Sequence, residues 1–163
     1  MQRTVFYSLL SLLFLVLDTV LTKFLVIEEI LPDIILLWIV YLAIREGQIA
    51  ATTAGFCLGL VMDLLSGQDG MLGVVALAKT IAGFVAGYFY NENKTQQTLG
   101  GYEFLIAVGV ASFVHNVIYF LIFLQGTDIG VWGAVFRYGV PTTLYTTALG
   151  LIPMFAFARK YSS

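Results

Sequence analysis

Apolar residues fall in six runs, at about 5 to 26, 31 to 44, 48 to 65, 71 to 90, 102 to 125 and 141 to 160. A helix crosses the hydrocarbon of a bilayer with about 20 such residues, so five of the runs fit or nearly fit a spanning helix. The second is short. Its continuous part, IILLWIVYLAI at 34 to 44, rises only about 16 Å at 1.5 Å per residue. Two arrangements accommodate it: a helix that begins at Leu31 to Asp33 and thins the bilayer locally, or a re-entrant hairpin made with the third run. Connections are short and carry turn residues, REGQ at 45 to 48, SGQDG at 66 to 70 and QGTDIG at 125 to 130. Only NENKTQQTLGG, 91 to 101, reads as a longer polar loop. Pro141 lacks a backbone donor and disfavours helix just before it, which predicts a break between an interfacial segment, 131 to 140, and the last helix. Pro153 should kink that helix.

Composition identifies the solvent. Of 163 residues 60% are hydrophobic and 11% charged, with a mean hydropathy of +0.92, more apolar surface than a soluble domain of this size can hide. The expected fold is therefore an all-α integral membrane protein, a single transmembrane domain over 1 to 163 with six helices. The apolar stretch after Arg3 resembles a secretory leader but continues past Asp18 to Val26, so it reads as a retained helix. A net charge of -2 with no basic stripe gives nucleic acid nothing to bind. The single cysteine, Cys57, allows neither a disulfide framework nor a metal cluster and reads as a small packed thiol. With the N-terminus inside, Arg3, Arg45, Lys94, Arg159 and Lys160 all fall on the cytoplasmic side, only Lys23 near the end of the first helix leans outward, and Glu28, Glu29, Asp33, Asp69 and Asp128 lie outside. Positive-inside bias thus predicts both ends in the cytoplasm.

Ionisable groups within membrane spans are costly, and their depth is informative. Counted from the outer helix ends, Asp18, Lys79 and His115 share one level, about eight to ten residues deep, whereas Asp63 lies near the end of the third helix and Arg137 in the outer segment. Two readings stand: a polar pocket open to the outside, or a structural ion pair such as Asp18 with Lys79 that fixes helix register. His115 beside Asn116 also suits hydrogen bonding between helices. Ala51, Gly55 and Gly59 recur every four residues on the third helix, and Gly83 and Gly87 form a GxxxG on the fourth, so these two helices should pack closely. Gly67 and Gly70 relax the turn between them. The aromatic residues read as bulk apolar surface. No HExxH, GxSxG or Walker loop occurs, and Glu28 and Glu29 read as a solvated acidic edge, which argues against catalysis, a cofactor or a metal.

Pro32-Asp33 leading into IILLWIVYLAIREG, then AGFCLGLVMDLLSG and GMLGVVALAKTIAGFVAGY, a block from 32 to 88, resembles the bacterial rod shape-determining MreD family. The closing VPTTLYTTALGLIPMF is similar to the family's last helix. The resemblance makes Pro32, Asp33, Gly59, Asp63 and Gly67 motif positions and carries over no catalytic residue. It implies an inner-membrane, noncatalytic scaffold or regulator of peptidoglycan elongation that binds MreC. Beside it would work MreB and the synthase pair of a SEDS glycosyltransferase and a class B penicillin-binding protein. It further implies a fold related to the S-components of energy-coupling factor transporters, whose outward pocket suggests the alternative role of a solute-binding transporter subunit.

Overall fold

A computed structural model describes residues 2–27, 30–66 and 72–161. Glu28, Glu29 and the turn carrying Gly67, Asp69 and Gly70 lie outside the described residues. The described chain is helical: α1 Gln2–Leu25, α2 Ile34–Glu46, α3 Gln48–Ser66, α4 Val74–Ala86, α5 Thr95–Gly100, α6 Tyr102–Phe123, α7 Val131–Ala134, α8 Val140–Leu149 and α9 Leu151–Tyr161.

The short helix is the centre of the bundle. Ile35, Leu36, Ile39, Val40, Ala43 and Ile44 of α2 are wholly buried, as an all-round apolar helix requires. Neighbouring helices cover α2, so its 13 residues need not match the thickness of the hydrocarbon. Among the described residues, three helical stretches, Gln48–Leu65, Tyr102–Phe123 and Val131–Arg159, are long and apolar enough to cross a membrane. A fourth results if Val74–Phe89 and Glu92–Gly100, bent by 76° to one another, count as one span. Among the described residues, Val5–Leu21 of α1 is a further, shorter apolar helix.

α3 and α4 approach as the small-residue pattern predicts. A Cβ on Gly55 would lie 2.4 Å from the Lys79 carbonyl oxygen, and one on Gly59 2.5 Å from the Ala76 Cα. Gly83 and Gly87 meet Ala51 and Gln48 in the same way. Only hydrogen fits at these positions, and the helices pack closely along about three turns. Gly47, at φ 93°, joins α2 to α3 in a backbone conformation that side chains resist.

Three local expectations change. The polar loop at 91 to 101 contains α5, whose Thr98 and Leu99 are buried, and a Cβ on Gly100 would lie 3.2 Å from Ala158 of α9. Its sequence looks like a loop because only one side of this single turn and a half meets protein. Pro141 does not separate 131 to 140 from the last helix. Val135–Gly139 forms a π-helical turn, and helix continues through Pro141 in the first turn of α8. Widening the helix just before proline relieves the ring's clash with the preceding turn and absorbs the missing donor. The interruption falls instead at Gly150, between α8 and α9, next to the carbonyl of Leu149 that Pro153 cannot serve. Cys57, expected inside, is exposed on α3.

Candidate functional site

The N-terminus of α2 ends within the protein, where its unpaired amides need acceptors. Asp33 is its N-cap: Oδ1 accepts from the Leu36 N–H at 2.8 Å. The backbone N–H of Asp33 itself donates to Thr146 Oγ1 at 3.0 Å, which ties α2 to α8. Asp18, from α1, places its carboxylate against the amides of Ile34 and Ile35. Two acids from separate segments therefore serve one helix end, where the macrodipole favours negative charge.

Asp33 Oδ2 forms an ion pair with the Lys79 ammonium, and His115 Nε2 lies 3.6 Å from the same oxygen. Lys79 is only 1% exposed, so its charge is tolerable only because a carboxylate neutralises it. The expected level of Asp18, Lys79 and His115 is thus a real cluster, but its hub is Asp33, not Asp18. Asp33 looks like a loop acid in the sequence. The signal that locates it is Pro32-Asp33 directly before an apolar run too short to span, an N-cap on a helix that starts inside the protein.

Asp63 does a similar task one helix away. Its carboxylate accepts from the amides of Gly73 at 3.1 Å, Val75 at 3.2 Å and Ala76 at 2.9 Å, the orphan donors at the start of α4. Gly73, the N-cap position, has no side chain with which to do this. Asp63 is 9% exposed, and its burial is matched by three charge-assisted hydrogen bonds. Gly59, one turn earlier, brings α3 near enough for that reach. Arg137, expected in the outer segment, lies on an exposed face with its guanidinium 5.6 Å from the centre of the Tyr138 ring and does not pair with Asp63 among these contacts.

Beside the Asp33 cluster opens a cleft of about 470 Å³ lined by Asp18, Pro32, Asp33, His115, Asn116, Tyr119 and Tyr138 among others. Lys79 is tucked behind it, and Asp63 and Arg137 are not in its wall. Asn116 Nδ2 donates to the Gly139 carbonyl at 3.2 Å and to Thr143 Oγ1 at 3.1 Å, and so holds α6 against the π turn. Thr146 and Thr143 are contributors that residue-by-residue reading passed over. Their signal is the TT pairs of VPTTLYTTALG, small hydroxyls in a helix otherwise apolar.

At the opposite end, where α2 finishes, a second polar group is found. Arg45 Nε donates to the Tyr7 hydroxyl at 2.9 Å, which donates to Glu46 Oε1 at 2.8 Å. Above it Phe14, Trp38, Tyr41 and Phe157 stack in sequence, with ring centroids 4.6, 5.2 and 5.6 Å apart. These rings are organised, not the bulk apolar surface their spacing suggested, and Trp38 Nε1 donates to Ser11 Oγ at 2.8 Å to hold α1 in place.

Together these features define a helical membrane protein whose buried charges and small residues fasten helices to one another. The profile of the family described as rod shape-determining protein MreD matches residues 2–162, essentially the whole chain. The chain belongs to the MreD family, a family of shape-determining membrane proteins not known as catalysts. Nothing among curated proteins or solved structures matches it.

Proposed function

We propose that this chain is a noncatalytic scaffold of the cell-elongation machinery, held in the bacterial inner membrane and bound laterally to MreC. Through that contact it joins MreB, the SEDS glycosyltransferase and the class B penicillin-binding protein in setting rod shape. The observation that carries the reading is the family match over residues 2–162. The use of the buried ionisable side chains supports it: Asp18, Asp33 and Asp63 serve helix N-termini and Lys79 neutralises Asp33, so they act to hold a shape. Six crossings with both termini in the cytoplasm complete the proposal. Arg45, Lys94 and Arg159 belong to the end opposite Asp33 and Asp63, in keeping with positive-inside bias. Tagged protein should co-purify with MreC, and crosslinking in intact cells should join the two. Absence of both would sink the scaffold reading. Reporter fusions at the two ends test the orientation, and a periplasmic signal from either would overturn it.

A second reading rests on the cleft beside Asp33. Its size is within the range of small-molecule sites, and its wall carries two carboxylates, an imidazole and an amide. It suits a solute-binding subunit with a fold related to the S-components. Native mass spectrometry of protein taken gently from membranes, and thermal shift against vitamins, should then reveal a bound metabolite. A protein that carries none and is stabilised by none would rule this out.

A further inference from the structure

The cleft beside Asp33 has a one-sided chemistry. Among the described residues, no lysine or arginine lines it. The donors close to it are already engaged. Lys79 gives its ammonium to Asp33 Oδ2 from behind the wall. Asn116 Nδ2 donates to the Gly139 carbonyl and to Thr143 Oγ1, which occupies both N–H groups of its amide. His115 directs Nε2 toward Asp33 Oδ2, 3.6 Å away, and its Nδ1 is sealed from solvent without a hydrogen-bond partner. Arg137, over the Tyr138 ring, is not part of the wall.

What the wall has left are acceptors. Asp33 receives the Leu36 amide on one oxygen and Lys79 on the other, of the roughly four positions that a carboxylate offers. Asp18 adds a second carboxylate to the same wall. Asn116 is 7% exposed, and its Oδ1 accepts no hydrogen bond yet is not sealed from the cleft that it lines. An amide oxygen left in this state is costly, and a donor entering the cleft satisfies it. The rings of Tyr119, Phe120 and Tyr138 share the wall, and aromatic rings attract organic cations. An ammonium carries a positive charge and three N–H donors, with no acceptor of its own. We infer that the cleft takes a small organic cation through a primary ammonium group, held by the carboxylates of Asp18 and Asp33 and by Asn116 Oδ1. The inference rests on the reading of this cleft as a solute site and names the class of solute, an amine and not an anion or a neutral metabolite.

The test is isothermal titration calorimetry of the full-length protein in phosphatidylcholine nanodiscs, with cadaverine, 1,5-pentanediol and glutarate as probes of one chain length. Cadaverine should bind at least about tenfold more tightly than the diol, the worth of one charge-assisted hydrogen bond, and glutarate should not bind. Asp18→Asn keeps an oxygen for the α2 amides but removes the charge, and it should weaken cadaverine by about the same tenfold. Leu31 also lines the cleft, is 43% exposed and lies outside the helices. Leu31→Lys sets a tethered ammonium at the rim and should abolish cadaverine binding, whereas Leu31→Gln should preserve it. The Leu31 pair leaves the helix caps untouched, so it decides the matter even where Asp18→Asn fails to fold. Equal affinity for cadaverine and the diol, or full cadaverine affinity in Leu31→Lys, would overturn the inference. A protein that binds glutarate or a neutral vitamin but not cadaverine overturns the amine and keeps the solute reading. One that binds none of them removes both.

Discussion

Asp33 and Lys79 are 46 positions apart in sequence and meet as a buried ion pair that joins the N-terminus of the central helix α2 to the middle of α4. Removing one partner leaves the other charged and desolvated. Lys79→Met should therefore destabilise the protein by about 3–5 kcal/mol, the range for breaking a buried pair. Asn at position 33 retains an acceptor for the Leu36 amide, so Asp33→Asn combined with Lys79→Met should recover a large part of the loss. Thermal unfolding in detergent measures both. A double variant no more stable than Lys79→Met would mean that the pair's charge is not what matters.

Asp63 holds three amides of the next helix. Asp63→Ala leaves all three without that acceptor and should cost about 1.5–3 kcal/mol, as expected for hydrogen bonds to a charged group, and on the proposed scaffold role it should weaken MreC association in proportion. Asp63→Asn keeps one acceptor oxygen and should fall between. Limited proteolysis of the α3–α4 connection reads the loosening directly. Equal stability, MreC binding and rod growth in the alanine variant would remove this role.

The glycine stripe predicts position-specific tolerance. Gly55→Ala and Gly59→Ala drive a methyl into opposing backbone and should each cost about 1–3 kcal/mol. Gly133, where a Cβ would have nothing within 4 Å, should accept alanine with no measurable loss. Expression level and thermal midpoint of the three variants make the comparison.

Thr146 accepts from the backbone amide of Asp33. Thr146→Val keeps the shape but removes the acceptor and should destabilise by about 1–3 kcal/mol, the desolvation cost of an unsatisfied buried donor. Thr146→Ser should remain near wild type. If valine and serine behaved alike, packing and not the hydrogen bond would be the contribution of this side chain.

Much of this was legible in order along the chain. Apolar runs located α1, α3, α4 and α6, because a chain in lipid must satisfy its own backbone and does so as helix. The four-residue spacing of Ala51, Gly55 and Gly59 foretold where α3 meets α4, since small residues on one stripe act only by letting a backbone approach. Depth counting brought Asp18, Lys79 and His115 to one level, and the PDIILLWIV and GLVMDLLSG segments led to the family.

Only tertiary structure decided the partners. Asp33 takes Lys79 because α2 is enclosed and its N-terminus falls beside α4, a fact of packing that local pattern does not contain. Asp63, which looks like a charge near lipid, caps a helix whose N-cap position, Gly73, lies ten residues further on. The sequence determined that this protein is a bundle of membrane helices with costly charges among them. The fold determined which helix end each charge serves, because electrostatic satisfaction depends on distances of about 3 Å that no spacing along one helix can set for another.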